Sequence, residues 1–319
     1  KAITVASHFL MDGDTNHINN TIVDGSNPAH PDSAAVVMFC SGEDTTSILY
    51  GFTIQGGSGG LYNASWDCDF GGGIACKDAG AKIQFNKIKD NELISTVFGA
   101  AGGGIGCLMS TLSPWIVIEN NTIFNNFVTS TGYSGFGGGI YSSANSRITN
   151  NTIMNNTCIN TNDSHASGGG IEVENLPGFM ADFCISNNEI YSNNLQGDWI
   201  YGAGLSFFSG EGTVKYNYIH DNSGISTDAA IGAGLRVLNA SGKVVIEGNN
   251  ITRNSYTGDR VQGGGIDVGG ANDKIFILDN QIYENEISAT AYSYGAGISL
   301  VEDMEVLVSG NEICDNNIA

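Results

Sequence analysis

Proline is nearly absent, at 4 of 319 residues, and basic side chains are scarce, with 12 Lys and Arg against 33 Asp and Glu. The resulting net charge of −21 argues against nucleic acid as a partner, because gripping a phosphate backbone takes clusters of Lys and Arg. No apolar run reaches the roughly 18–20 residues that cross a bilayer, so no membrane span is expected. The Cys count, seven, is odd, and no pair has Cys-x-x-Cys spacing. The chain opens on Lys1 without a signal-peptide pattern, as expected of a processed product or an excised segment.

Glycine is abundant, at 45 residues, and it is periodic. The pattern Gly-[Gly/Ala]-Gly-[Ile/Leu] occurs eight times, ending at Ile74, Ile105, Ile140, Ile171, Leu205, Leu235, Ile266 and Ile298, with a mean spacing of 32 residues. Downstream of each comes Asn-x-Ile-x-x-Asn, whose Ile is residue 88, 123, 153, 190, 219, 251, 282 or 313. Five residues before each of these stands Ile83, Ile118, Ile148, Ile185, Val214, Ile246, Ile277 or Val308.

Short β-branched segments separated by Gly or Asn read as strands. Three strands per repeat make an all-β solenoid in which each coil touches only its neighbours. Parallel strands stack about 4.8 Å apart, so the aliphatic positions become three ladders inside a tube. Met38, Leu49 and Ile54 form a looser early coil, and Ile22 belongs to one before it. The expectation is one domain over residues 1–319, irregular over 1–70 and regular over 71–319, with about nine to ten coils.

Two Asn columns run through the repeats, from Asn86 to Asn311 and from Asn91 to Asn316. Asn tolerates the left-handed backbone of a sharp corner, and stacked amides can hydrogen-bond along a column. Cys40, Cys76 and Cys107 align as an inward column, either as buried thiols or as a disulfide between stacked coils.

The unit resembles the right-handed parallel β-helix repeat of the pectate-lyase-like superfamily. The stretch Asp44-Thr45-Thr46-Ser47-Ile48-Leu49-Tyr50-Gly51-Phe52-Thr53-Ile54-Gln55-Gly56-Gly57 is similar to the opening coils of large secreted bacterial β-helix proteins. So is Asn20-Thr21-Ile22-Val23-Asp24-Gly25. The resemblance covers essentially the whole chain. It implies the fold and an extracellular or cell-surface setting, but the fold hosts lyases, hydrolases, adhesins and stalks alike. The motifs of its enzymes are missing. There is no Asn-Thr-Asp, Asp-Asp and Gly-His-Gly set, no Asp-Pro-His-Glu, and no Arg-rich strand in a chain with four Arg.

If Ile74 points inward, alternation sends its Gly neighbours outward. The Gly columns then serve either a bend and tight coil packing, or a smooth outer floor for an extended polymer. Eight to eleven variable residues link each last Asn to the next Gly and stack as loops on one edge. Aromatic faces suit sugar rings, which makes Trp66, Tyr133, Phe136, His165, Trp199, Tyr201, Tyr256, Tyr292 and Tyr294 candidates for glycan binding. Glu172 and Glu174, two apart on one strand, have the carboxylate spacing of inverting glycosidases, about 6.5–7 Å. Arg236 and Asp267 stack in adjacent coils, as a surface ion pair or as a site with Arg236 as base or clamp. These four are the catalytic candidates. Asp12, Asp14, Asp67 and Asp69 are candidates for Ca²⁺, with no other cofactor expected.

The composite expectation is a structural or adhesive scaffold that binds a polysaccharide or surface glycan. The alternative is a polysaccharide lyase or glycoside hydrolase. No capping helix is visible before Ile3, and the chain stops just after Asn316, so a longer parent chain or end-to-end self-association into filaments is expected.

Overall fold

The computed structural model describes residues 2–28, 35–63, 67–109, 115–176, 180–270, 274–301 and 305–319. Stacked strands wind into a solenoid of about nine coils. Sheet I has nine strands, from Val37–Phe39 through Ile74–Lys77 to Ile298–Val301. Sheets II and III have ten each, running from Thr4–Ala6 to Val306–Ser309 and from Ile22–Asp24 to Glu312–Cys314. All pairings in these three sheets are parallel, with partners one coil apart in register, such as Ile105 beside Ile74 and Ile140.

The three aliphatic ladders line the tube. Ile74, Ile83, Ile88 and their equivalents are fully buried through the middle coils. Burial of each such side chain is worth about 1.5–3 kcal/mol, repeated at every 4.8 Å step. On the last coil Val308 and Ile313 are 41% and 47% exposed. In the early coils the register sits one residue away from the sequence reading. Val37, not Met38, pairs with Ile74, and Val23, not Ile22, pairs with Ile54. Phe39 pairs with Cys76, which leaves Cys40 exposed and outside the column. A slip of one residue exchanges the two faces of a strand, and no Gly triplet pins the register there. All seven Cys are free thiols.

The Asn columns are continuous hydrogen-bonded ladders. Each Asn donates its side-chain Nδ2 to Oδ1 of the next over 2.9–3.1 Å in both columns. The same Oδ1 accepts the previous Asn's backbone N–H, and Nδ2 also reaches the carbonyl of a ladder Ile, as from Asn156 to Ile123. Each buried corner amide is thereby paired. The left-handed residue is not the Asn itself but the one before it: Asn120, Asn150, Phe85 and Tyr216 in one column, and Asp90, Asn155, Arg253 and Glu284 in the other.

The Gly triplets complement these ladders and do not pave an outer floor. Gly71, Gly72, Gly73 and their equivalents are buried in nearly every coil. The first Gly of each triplet is left-handed, with φ between 58° and 75°. A Cβ on the third would stand 2.8–3.2 Å from the Nδ2 of an Asn in the second ladder, from Asn91 through Asn316. The bend-and-packing reading of the glycines therefore holds, and the polymer-floor reading fails.

The segments expected as variable loops are strands. They build sheet IV, thirteen strands in all: a path of ten running to Asn317–Ile318 and three beside it, among them Glu92–Ser95. In the later coils they lengthen to eight or nine residues, as in Asn194–Tyr201 and Ser223–Ile231. One antiparallel pair among the described strands, Leu61–Asn63 with Cys68–Phe70, opens this sheet. Two short helices, α1 (Phe9–Asp12) and α2 (Asn16–Asn20), fill the first corner between sheets II and III.

Candidate functional site

Alternation along sheet I sets the floor of a cleft. Ile171 and Val173 belong to the main core, so Glu172 and Glu174 face outward on the strand Ile171–Glu174. The outward column runs Tyr141, Glu172, Ser206, Arg236, Asp267 and Ser299 in register. It lies outside the tube and is nevertheless buried. The cause is the first Gly of each triplet. Its left-handed turn folds the chain so sharply that a Cβ there would stand 2.7 Å from Glu172 Cβ in one coil and 2.8 Å from Arg236 Cβ in another. The residue before that Gly, contributed by sheet IV, becomes a wall standing over the floor.

In the middle coils, wall and floor enclose a cavity of about 330 Å³ lined by Phe136, His165, Ser167, Tyr201, Glu172, Glu174, Phe208, Arg236 and Leu238. A second, of about 310 Å³, adjoins it across Phe136 and includes Tyr133, Ser134, Asp67 and Cys68. A third, of about 510 Å³, lies between Tyr62, Asp69 and Phe98. Aromatic rings continue along this edge. Tyr62 and Phe98 are 4.5 Å apart, His165 meets Phe136 at 5.4 Å, and Tyr201 follows at 5.7 Å.

The charged groups of the main cleft are out of water. Burial pushes the Glu172 carboxyl up to about 8, although Ser167 Oγ donates to its Oε2 over 2.6 Å. Glu172 is therefore mostly protonated at neutral pH. Burial also raises Glu174, which accepts a hydrogen bond from Tyr141 Oη at 3.1 Å. It moves Asp267 up to about 6 and His165 down to about 4. Arg236 is 6% exposed and lowered by the same desolvation, with its guanidinium 3.7 Å from the centre of the Tyr201 ring. Its Nε has no hydrogen-bond partner among the described residues, and neither has Asp267 Oδ1.

The expected surface ion pair between Arg236 and Asp267 is therefore not formed: the residues are adjacent in register but buried, and the guanidinium stacks on Tyr201. Of the ring candidates, Phe136, His165 and Tyr201 line the main cleft, and Tyr133 the adjoining one. Trp199 lies half-exposed on the same sheet beneath Arg260, 5.1 Å away, while Tyr292 and Tyr294 are exposed further along. Trp66 lies outside the described residues.

Tyr256 lines none of these cavities. It is 1% exposed inside the core of sheet IV, in space left by its register partner Gly224. Asp67 accepts a hydrogen bond from Tyr62 Oη at 2.9 Å, and Asp14 one from the backbone N–H of Asn16. Sequence reasoning did not single out Ser167 as a site residue, although its place before a Gly triplet marks it as part of the wall.

No curated protein and no solved structure matches the chain. The family model described as "Right handed beta helix region" matches residues 155–319, just over half of its length. With the parallel coils and their ladders already in view, the chain belongs to the right-handed β-helix family.

Proposed function

We propose that the protein is a secreted or cell-surface β-helix scaffold of structural or adhesive role, that its sheet I cleft binds carbohydrate, and that its terminal coils associate end to end. Arg236 carries the carbohydrate reading. A guanidinium lining a ring-walled cleft and largely withdrawn from water favours an oxygen acceptor. Sugar hydroxyls supply such acceptors, and sugar ring faces suit Phe136, His165 and Tyr201. Glu172, neutral at physiological pH, contributes a hydroxyl donor as well as an acceptor.

A second reading is favoured by the same residue. A carboxyl held protonated at neutral pH is what a general acid requires, and Glu174 stands two positions away on one face. Against hydrolysis, burial raises Glu174 as well, which disfavours the ionised base or nucleophile. A glycan array followed by assays for new reducing ends and for unsaturated products separates the two. Binding without turnover is expected. Release of either product would replace the scaffold reading with the enzyme, and no glycan hit would remove both.

A further inference from the structure

We propose that the first corner of the solenoid is a site for a borderline divalent metal ion of the Zn²⁺ class, ligated by His8, Asp12 and His17. His8 Nδ1 and His17 Nε2 both point at Asp12 Oδ2, at 3.3 Å and 3.0 Å. All three potential ligand atoms lie within 4.8 Å of one another, and this is the one such group of three or more found among the described residues. Ligands held about 2.0–2.1 Å from one tetrahedral ion stand about 3.3 Å apart, so two of the three edges already have the required length. The third closes by rotation of His8, whose side chain is 65% exposed.

The chain trace explains why these residues meet. Gly13, left-handed at φ 72°, ends α1 and turns the chain back so that α2 returns His17 to Asp12. Both arms are anchored on the solenoid. Phe9 packs against Tyr50 and Phe85, each at 5.6 Å. Ile18 is buried, and its carbonyl accepts a hydrogen bond from Thr53 Oγ1 at 2.8 Å. Ligands on two anchored arms lose little freedom when an ion arrives.

The donor set selects the metal. Two imidazole nitrogens and one carboxylate suit Zn²⁺, Co²⁺ or Ni²⁺ and disfavour Ca²⁺, which takes six to eight oxygens. The Ca²⁺ expectation at Asp12 and Asp14 thus becomes a nitrogen-bearing site at Asp12, while Asp14 is engaged by Asn16 N–H. Three protein ligands leave a fourth position for water. Bound metal would tie α1 to α2 and fasten the corner where sheets II and III begin.

The test is calorimetric titration of Zn²⁺ into the whole chain after chelator treatment, with Co²⁺ absorption as a second readout. One ion per chain and a tetrahedral Co²⁺ spectrum are expected. Outer-shell changes alone cost about 10–100-fold in metal affinity, so His8→Ala and His17→Ala should each weaken binding at least about tenfold. His165→Ala, in the cleft, serves as the control and should leave it unchanged. Both target rings are at the surface, and a melting curve verifies that the variants fold. Absence of binding to the unaltered chain would overturn the proposal. So would undiminished binding in the His8→Ala, His17→Ala double variant.

Discussion

At the scale of single residues, glycine and asparagine solve one problem between them. The third Gly of a triplet keeps clear the space that the second Asn ladder occupies. At Gly139 an added Cβ would stand 2.6 Å from Gly170 O and 3.0 Å from Asn156 Nδ2, both parts of the fixed frame. Overpacking of this kind costs about 1–3 kcal/mol. Gly99 offers a contrast within the same protein, with its nearest neighbour at 3.3 Å and no left-handed φ. Denaturant unfolding should show Gly139→Ala destabilised by at least about 1 kcal/mol and Gly99→Ala by clearly less. Equal losses would mean that the Gly–Asn complementarity does not set the coil spacing.

Glu172 supplies a second test at this scale. Its carboxyl holds a proton up to about 8 in the folded chain, against an ordinary value of 4.5. Between those values the folded state binds more protons than the unfolded one, so stability falls as pH rises and then levels off. Glu172→Gln removes that slope. Asp267 adds loss of the same sign over a lower range, and His165 the opposite sign, but both are shared by the two proteins. The melting temperature of Glu172→Gln relative to the parent should therefore climb from about pH 4.5 to about pH 8 and stay constant above it. A difference that does not change with pH would place Glu172 in water.

At the scale of elements, legibility in the sequence followed repetition. Ile105, Ile118 and Ile123 could be placed inside the tube because the same spacing recurs in every later coil, and β-branched size suits a ladder position. The early strands carry no triplet, and there the reading slipped by one residue at Val37 and Val23. The sheet IV strands were hidden for a related reason: residues 92–101 and their equivalents vary in composition and length, so no column emerges.

Their alternation was also hidden, and it decides which rings are usable. Tyr256 turns inward and Trp199 outward although both looked like loop aromatics. The cleft was legible in part. Glu172 and Arg236 were placed outward correctly, but their burial depends on how sharply the first Gly folds sheet IV over them. His8 and His17 were missed because two helices of four and five residues leave no periodic trace.

At the scale of the whole molecule, the acidic rod combines a repetitive frame with two places where it departs from repetition, the sheet I cleft and the helical first corner. Its last coil exposes Leu307, Val308, Ile313 and Ile318. Its first exposes Ile3, Val5 and Ile22. The proposed end-to-end pairing of copies would continue the strand ladders. Sedimentation should show association that grows with concentration and is weakened by Val308→Asp together with Ile313→Asp. A monomer at every concentration would remove self-association from the proposal.

The cleft is where function is assigned, and Arg236→Met tests it most directly. The substitution keeps a long side chain over Tyr201 while removing the charge and the N–H donors. The substitution also removes a charge that helps keep buried Asp267 ionised, so a melting curve first verifies that the variant folds. Calorimetry with a glycan identified on the array should then show affinity reduced at least about tenfold, the loss of one charge-assisted hydrogen bond worth about 1.4 kcal/mol or more. Equal affinity in the two proteins would contradict the account and place the sugar, if it binds at all, away from this cleft.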